Sequence, residues 1–453
     1  MIRFFAPAMV VLALFTSCKK DKGSDNGGGG TPPVVKDKIK DTTILFARDI
    51  YLWYKQIPSS FDAQTYADPN KIMEAIRKYS TEPGFTGPVD RWSFAMKQTE
   101  WDDVSSGVAG DFGLGVFFRV EGDLRVKSVE RASPAGLAGV HRGWRITKIN
   151  GNSNITTSNS NFIVDAVFYA TSTTFTFQKP DGTSVDMALT AKTYQEHPIY
   201  LDSVYTTGSK KLGYIVFNSF LGDTTEVYNE FNRIFNKFNA AGVTDVAVDL
   251  RYNGGGYVTV QEKLANYLAP AAANGGVMMN QEFNDKYASS FNETYNFSKL
   301  GPLNLNRVFF IVSPNTASAS ELLINNLKPY MDVKLVGPDH SYGKPVGYFP
   351  IPVGDWYIFP VSFRSTNKAG QGNYFNGFAV DSQQPDGLDK DWGDINETAF
   401  GSVIKYVGTG SFTRTTEIPG APAGMVTPQL INANQSLDVK SFKGAVLSTK
   451  KVH

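Results

Sequence analysis

Residues 316–321 place small and hydroxyl side chains at the junction of two predicted elements. The apolar run 307–312 predicts a buried strand, and residues 321–327 predict a helix. A serine at this junction, with Ser318 the candidate, would lie beside free helix N-terminal amides, which stabilise developing negative charge. The alternative is structural, because Ser318 and Glu321 have the spacing of a capping box. The stretch alone therefore predicts either a nucleophile or a helix cap.

A second candidate for chemistry is the run of glycines that follows the predicted strand 246–250. Glycines without side chains can turn backbone amides toward an oxyanion, so this loop suits the stabilisation of a tetrahedral intermediate. Asp249 and Arg251, at the end of that strand, are predicted to hold the loop rather than to perform chemistry.

Other enzyme motifs are missing from the sequence. Residues 337–344 are not a phosphate loop, because the spacing is one residue too long and Pro345 replaces the required Ser or Thr. The sequence contains no G-x-S-x-G elbow and no HExxH motif, which disfavours an α/β-hydrolase and a metalloprotease. We expect no metal and no cofactor.

The elements that would position these residues alternate between strand and helix. Residues 212–217 predict a buried strand, and an apolar stripe from Val227 to Phe238 predicts an amphipathic helix closed by Gly242. The strand 246–250, the glycine loop and a helix over 260–268 follow. This order predicts a layered α/β core with parallel crossovers.

Residues before this core differ in pattern. Residues 37–100 predict a small helical region, and residues 101–192 predict short strands broken by glycine. The segment SPAGLAGVHRGWRITKINGN, at 133–152, resembles part of a PDZ domain. The resemblance implies that a loop of backbone amides captures a peptide carboxylate; its residues would be Phe112, Gly113, Leu114 and Gly115. The alternative is a packing module without a ligand.

Three segments, 248–256, 316–321 and 336–344, stand in the order seen in serine peptidases of family S41. Over residues 40–405 the chain resembles the C-terminal processing peptidases of that family, including their PDZ-like insert. The resemblance implies a multidomain α/β protein with a helical N-terminal region, a β-rich PDZ-like domain and a layered, crotonase/ClpP-like catalytic core at 193–410. Residues 411–453 are expected to form an extended tail.

The resemblance also implies the site residues. Ser318 matches the nucleophile and Lys344 the general base, while Ala319 and either Gly254 or Gly255 match the oxyanion hole. A lysine with its usual pKa of about 10.4 is a poor base, so Lys344 must be desolvated for its pKa to fall toward roughly 7 to 8. His340, which is close in sequence, is the alternative base.

Two neighbours of Lys344 depart from the family pattern. Pro345 and Tyr348 stand where the family usually shows a glycine and a glutamine. The preferred prediction is a serine endopeptidase that acts through an acyl-enzyme on exported polypeptides or their C-terminal segments. The alternative is a catalytically silent peptide-binding lipoprotein.

Composition limits the classes of partner. With 44 basic and 43 acidic residues among 453, the chain offers no broad surface for phosphates, so nucleic acid is not an expected partner. Cys18 is the only cysteine, which excludes an internal disulfide framework and a thiolate zinc site.

The N-terminus has the pattern of an export signal. Arg3, the apolar run 4–15 and the segment ending at Cys18 resemble a bacterial lipoprotein signal over 1–18, in which Cys18 would carry the lipid. An ordinary signal peptide is the alternative. Residues 19–36, rich in glycine with a Pro-Pro pair, predict a flexible tether. We therefore expect an exported protein anchored by lipid to the cell envelope, periplasmic or at the cell surface.

Overall fold

A computed structural model describes residues 37–412, 427–439 and 442–447 of the protein. Cys18, the predicted signal 1–18 and the predicted tether 19–36 lie outside these residues. The described residues from Lys38 onward form one compact unit. Within the described residues, no helix combines the length and apolar character needed to cross a membrane.

The N-terminal region is helical, as predicted, and ends in a strand that pairs with a later part of the chain. Asp68 caps the second helix, since its carboxylate accepts a hydrogen bond from the Lys71 amide at 2.9 Å, and Pro69 begins that helix. The elements are α1 (Lys38–Ile50), α2 (Pro69–Ile76), β1 (Phe94–Lys97) and α3 (Gln98–Ser106).

The next part of the chain, residues 108–195, is the β-rich region. Its main sheet has five antiparallel strands in sequence order, with the first strand at one edge. Leu114, Val116 and Phe118 alternate on the buried face of that strand, as expected for a half-buried sheet. The elements are β2 (Val108–Asp111), β3 (Leu114–Val120), β4 (Asp123–Val129), α4 (Pro134–Leu137), β5 (Arg145–Ile149), α5 (Ser160–Val164), β6 (Ser172–Gln178), β7 (Ser184–Thr190) and β8 (Lys192–Gln195).

The remaining core is a layered α/β structure around a six-stranded sheet of order β21-β16-β15-β11-β10-β9. All neighbours pair in parallel except β9 and β10, and smaller sheets form beside it. The elements are β9 (Ile199–Thr207), β10 (Lys210–Phe217), α6 (Thr224–Ala241), β11 (Asp245–Asp249), β12 (Gly255–Tyr257), α7 (Val258–Leu268), β13 (Val277–Phe283), α8 (Ala288–Phe291), β14 (Glu293–Asn296), β15 (Arg307–Ile311), α9 (Ala319–Leu327), β16 (Asp332–Gly337), β17 (Val346–Gly347), β18 (Ile351–Val353), β19 (Trp356–Phe359), β20 (Phe363–Asn367), β21 (Ser382–Gln383) and α10 (Thr398–Thr409).

Apolar side chains cover both faces of the large sheet. The predicted stripe of α6 is buried against β10, β11 and β15, together with side chains of α7 and α9. On the opposite face α10 contributes Phe400, Val403 and Val407 to a second cluster. Burying each such side chain contributes about 1.5–3 kcal/mol, so this packing fixes the strand ends that carry the site.

The expectation of an extended tail over 411–453 is wrong where the structure describes that part. Residues 428–436 form helix α11 (Pro428–Ser436), whose first turn is capped by Thr427, and strand β22 (Gly444–Val446) pairs in parallel with β12. Both elements are held by contacts with distant parts of the chain, which local sequence patterns do not reveal.

Candidate active site

Ser318 connects β15 to α9 in a strained backbone conformation. Its φ of 59° and ψ of −106° are unusual for a residue with a side chain. Such conformations cost roughly 1–3 kcal/mol and persist where the surrounding structure enforces them, often at functional sites. The strain therefore favours a functional role for this serine.

The hydroxyl of Ser318 is not used as a helix cap. Ser318 and Glu321 take up the arrangement of a capping box, and the Ser318 amide donates to the Glu321 carboxylate at 3.0 Å. However, Ser318 Oγ is buried and has no hydrogen-bond partner among the described residues. An unpaired buried hydroxyl is costly, so the structural alternative does not account for this residue.

Glu321 holds the turn of Ser318 and the segment of Lys344 together. Its fully buried carboxylate accepts four hydrogen bonds, from the amides of Ser318 (3.0 Å), Gly343 (2.7 Å) and Lys344 (2.8 Å) and from the Ser341 hydroxyl (2.5 Å). Burial raises the pKa of Glu321, and these hydrogen bonds oppose that rise. The sequence identified Glu321 only as a cap, but in the structure it positions both predicted catalytic segments.

The glycine loop lies against the turn of Ser318. Asn253 orders it: its carbonyl accepts from the Ala317 amide at 3.0 Å and its side chain accepts from the Gly255 amide at 2.9 Å. A Cβ placed on Gly255, whose φ is 105°, would lie 3.0 Å from the Ala319 nitrogen. Only glycine permits this approach, which puts Gly255 and the Ala319 amide beside each other.

A buried ion-pair network fixes the start of the glycine loop. The Arg251 guanidinium bonds to Asp249 (2.7 Å), Asp386 (2.8 Å) and Glu397 (2.9 Å). Burial raises the pKa of Asp386, but the neighbouring guanidinium groups of Arg142 and Arg251 outweigh it and lower that pKa to about 2. Asp249 and Arg251 thus have the structural role expected of them.

Lys344 is buried beside aromatic rings, with only 1% of its surface exposed. Its Nζ lies 3.8 Å from the centre of the Tyr348 ring and donates a hydrogen bond to the Lys443 carbonyl at 2.7 Å. Burial lowers the pKa of Lys344 well below its usual value, while Asp90 and Glu321 act in the opposite direction. The amine therefore has the environment that a lysine base requires, but its hydrogen bond goes to Lys443 and not to Ser318 Oγ.

The other residues near Lys344 have structural contacts. The Tyr348 hydroxyl donates to the same Lys443 carbonyl at 2.9 Å. His340, the alternative base, is bonded through one ring nitrogen to the Ser341 carbonyl at 2.5 Å and lies 3.3 Å from Asp339 through the other. These contacts occupy both ring nitrogens of His340.

The predicted carboxylate loop lies at the start of β3. Phe112 is buried, and the Gly113 amide donates to Asp111 at 2.6 Å. Gly113, Leu114 and Gly115 line a cavity of about 150 Å³, which residues of the later chain also line. Peptide binding at residues 112–115 stays a prediction.

Two family models match the chain: Peptidase family S41 over residues 211–380, and Peptidase S41 N-terminal domain over residues 45–94. Residues 211–380 are thus a peptidase family S41 domain, and residues 45–94 an S41 N-terminal domain. These matches support a serine-type peptidase with polypeptide substrates, and they confirm the family predicted from the three ordered segments. The PDZ-like assignment and the lipid anchor stay predictions.

Two solved structures are similar to the chain, and the first of them shows the same fold. A structure described as a putative S41 protease from Bacteroides fragilis NCTC 9343 is 23% identical, covers 84% of this chain and 99% of its own, and has a TM-score of 0.65. The photosystem II D1 C-terminal processing protease is 17% identical, with coverage of 82% and 97% and a TM-score of 0.49. No curated protein matches the chain.

The structure brings together the predicted residues Ser318, Ala319, Gly254, Gly255 and Lys344 through Glu321 and Asn253. Sequence reasoning missed the role of Asn253 and the contact of the Lys443 carbonyl with Lys344. The loop run Asn-Gly-Gly-Gly offered a signal for Asn253, because asparagine commonly bonds to a backbone group two residues on. Nothing in the sequence pointed to Lys443.

Proposed function

We propose that the protein is a serine endopeptidase that cleaves exported polypeptides or their C-terminal segments, with Ser318 as nucleophile and Lys344 as general base. The observation that carries the proposal is the shared Glu321 carboxylate, which accepts from both the Ser318 and the Lys344 amides. One buried carboxylate thus binds the backbone of a strained serine, whose hydroxyl is unpaired, and the backbone of a desolvated lysine.

The reaction begins when neutral Lys344 takes the proton of the Ser318 hydroxyl as Oγ attacks the scissile carbonyl. The Ala319 amide and the Gly254 amide stabilise the oxyanion, because the Gly255 amide already donates to Asn253. Each such donor contributes about 3–4 kcal/mol. Lys344 then gives its proton to the leaving amine, and water hydrolyses the acyl-enzyme. For these steps Lys344 Nζ must leave the Lys443 carbonyl.

The test compares cleavage of an unfolded polypeptide, and labelling by a serine-reactive fluorophosphonate, in the parent and in Ser318→Ala and Lys344→Met. We expect cleavage to be lost in both variants and labelling to be lost in Ser318→Ala. Lys299→Met is the matched control, because burial also lowers the pKa of Lys299, to about 8, and its Nζ bonds only to backbone carbonyls away from the site. Equal cleavage by all four proteins would exclude the dyad.

A second candidate function is a silent peptide-binding protein. The observation in its favour is the bond of Lys344 Nζ to the Lys443 carbonyl, because a base held in this way does not act on Ser318. Tight binding of a polypeptide without cleavage, in the parent and in the Gly444→Val variant described below, supports this candidate.

We further propose that the protein is exported and anchored to the envelope by a lipid on Cys18. The charged start, the short apolar run and the position of the cysteine support this. Fractionation of cells that produce the full chain tests the anchor. The parent protein should be found in the detergent-soluble membrane fraction, and the Cys18→Ala variant should be lost from it. An unchanged membrane fraction would contradict the anchor.

A further inference from the structure

The last described part of the chain lies against both the β-rich region and the glycine loop. We call residues 427–439 and 442–447 the tail segment. Its helix α11 packs on the β-rich region, and its strand β22 lies beside the glycine loop.

Helix α11 contacts the edge strand of the β-rich region. Leu430, Ala433 and Leu437 are buried in its core. The side chain of Asn434 accepts from the Phe118 amide at 2.8 Å and donates to the Phe118 carbonyl at 3.0 Å. These backbone groups belong to β3, the edge strand that follows the predicted carboxylate loop. Backbone groups of an edge strand are the ones with which an added peptide strand pairs.

An acidic side chain connects the helix to the strand of the tail segment. Asp438 lies 3.2 Å from Lys127 of the β-rich region and 2.8 Å from Lys443. Leu437 and Asp438 also line the cavity beside Gly113 and Gly115. The tail segment therefore forms part of the wall of the predicted peptide site at residues 112–115.

Strand β22 is bound as an extended peptide in the cleft next to Ser318. On one side the Gly444 amide donates to the Gly254 carbonyl at 3.0 Å. On the other side the Tyr348 amide donates to the Ala445 carbonyl, and the Leu447 amide to the Tyr348 carbonyl, both at 3.1 Å. Main-chain hydrogen bonds to a strand edge are also what hold an extended peptide ligand when it is added to a sheet.

The same strand engages the base. The Lys443 carbonyl accepts from Lys344 Nζ at 2.7 Å and from the Tyr348 hydroxyl at 2.9 Å. A Cβ on Gly254 or Gly255 would overlap the carbonyl oxygen of Phe442 or Gly444, so the strand closes the space over the glycine loop. A substrate strand cannot occupy this space while β22 is there.

We propose that the tail segment is an intramolecular ligand that inhibits the peptidase by occupying both the β-rich region and the catalytic cleft. The proposal rests on the proposed function. As a tethered ligand, the segment has an effective concentration on the order of millimolar. Substrate must compete with the tail segment for the cleft. A partner that displaces α11 from the β-rich region activates the enzyme.

Variants of the full chain that weaken the two contacts test this. Asn434→Ala removes both bonds to Phe118, and Gly444→Val places side-chain atoms against the Phe442 ring and the Tyr348 hydroxyl. Each hydrogen bond accounts for a factor of several in the opening equilibrium, so we expect about tenfold faster fluorophosphonate labelling and polypeptide cleavage in Asn434→Ala. Gly444→Val should exceed that, while Asn432→Ala, an exposed control on the same helix, should match the parent.

Contrary outcomes overturn the proposal. Lower labelling in Asn434→Ala and Gly444→Val, with Asn432→Ala unchanged, would make the tail segment a required part of the site. Parental rates in both variants would show that it does not inhibit.

A binding measurement separates this proposal from the proposed function. The probe is a synthetic peptide of residues 427–447, titrated by fluorescence anisotropy against the Gly444→Val protein. We expect saturable binding, weakened about tenfold when the peptide carries Asn434→Ala. This result supports the ligand role even if no variant cleaves anything, which would refute the proposed function alone. Absence of binding to a folded Gly444→Val protein would overturn the ligand role.

Discussion

Glu321→Gln tests the claim that one carboxylate positions both the nucleophile and the base. The substitution keeps the shape of the side chain but turns one acceptor oxygen into an NH₂ donor. Each oxygen of Glu321 accepts two hydrogen bonds: one from the amides of Ser318 and Lys344, the other from the Gly343 amide and the Ser341 hydroxyl. In either orientation, at least one buried amide therefore faces a donor instead of an acceptor.

The size of the effect follows from the lost acceptor positions. A buried donor left unpaired costs about 1–3 kcal/mol. With two donors affected, the free energy of unfolding should fall by roughly 2–6 kcal/mol, and less if the Ser341 hydroxyl rotates to donate elsewhere. The turn of Ser318 should also lose its strained conformation, so polypeptide cleavage should fall further than the loss of folded protein explains.

Urea unfolding and polypeptide cleavage, measured on the same preparations, check both effects. Glu262→Gln is the matched control, because Glu262 lies on α7 and burial raises its pKa to about 7, so glutamine resembles a form it already populates. That variant should change little in either measurement. If Glu321→Gln has the same unfolding free energy and the same cleavage rate as the control variant, within error, the positioning role is refuted.

Two further predictions concern buried charges. The pKa of Lys344 is lowered in the folded protein, so between that pKa and about 10.4 the unfolded chain binds more protons and stability rises with pH. Urea unfolding at a series of pH values should show this slope in the parent and its loss in Lys344→Met; identical slopes would contradict the desolvation of the amine. Arg251→Met leaves Asp249 and Glu397 buried without their cation, so we expect a loss of about 3–5 kcal/mol in the same assay. The exposed Arg233→Met should cost less than about 1 kcal/mol, and a similar cost for both would contradict the network's role.

The fold was largely predictable because its signals are local. The stripe of α6 ends at Gly242, whose φ of 71° suits glycine, and the cap at Asp68 begins α2 at Pro69. Boundaries shifted by a residue or two where tertiary contacts decide them, as for α7, which begins at Val258 rather than near 260. Helix α11 was missed because its apolar residues gain a partner only from the β-rich region.

The part of the site that could be predicted is the part that follows from the order of the motifs along the chain. Ser318, Lys344 and the glycine loop came from their order along the chain. The four hydrogen bonds of Glu321 could not be predicted in this way, because three of its partners lie between 341 and 344 and come close to it only when the chain folds. Its spacing from Ser318 pointed to a cap, which is only one of the contacts it makes.

The departures at Pro345 and Tyr348 look different once the contacts of Lys344 are known. The Lys344 amide donates to Glu321, so the segment is fixed before Pro345, whose missing N–H is not needed there. The ring of Tyr348, whose centre lies 3.8 Å from Nζ, attracts an ammonium, whereas burial disfavours the ammonium and lowers the pKa of Lys344. Tyr348 also bonds through its backbone to both Ala445 and Leu447, which makes it a wall of the cleft where a strand binds. The two departures are therefore compatible with a working base, and the contact that restrains Lys344 in this structure comes from Lys443.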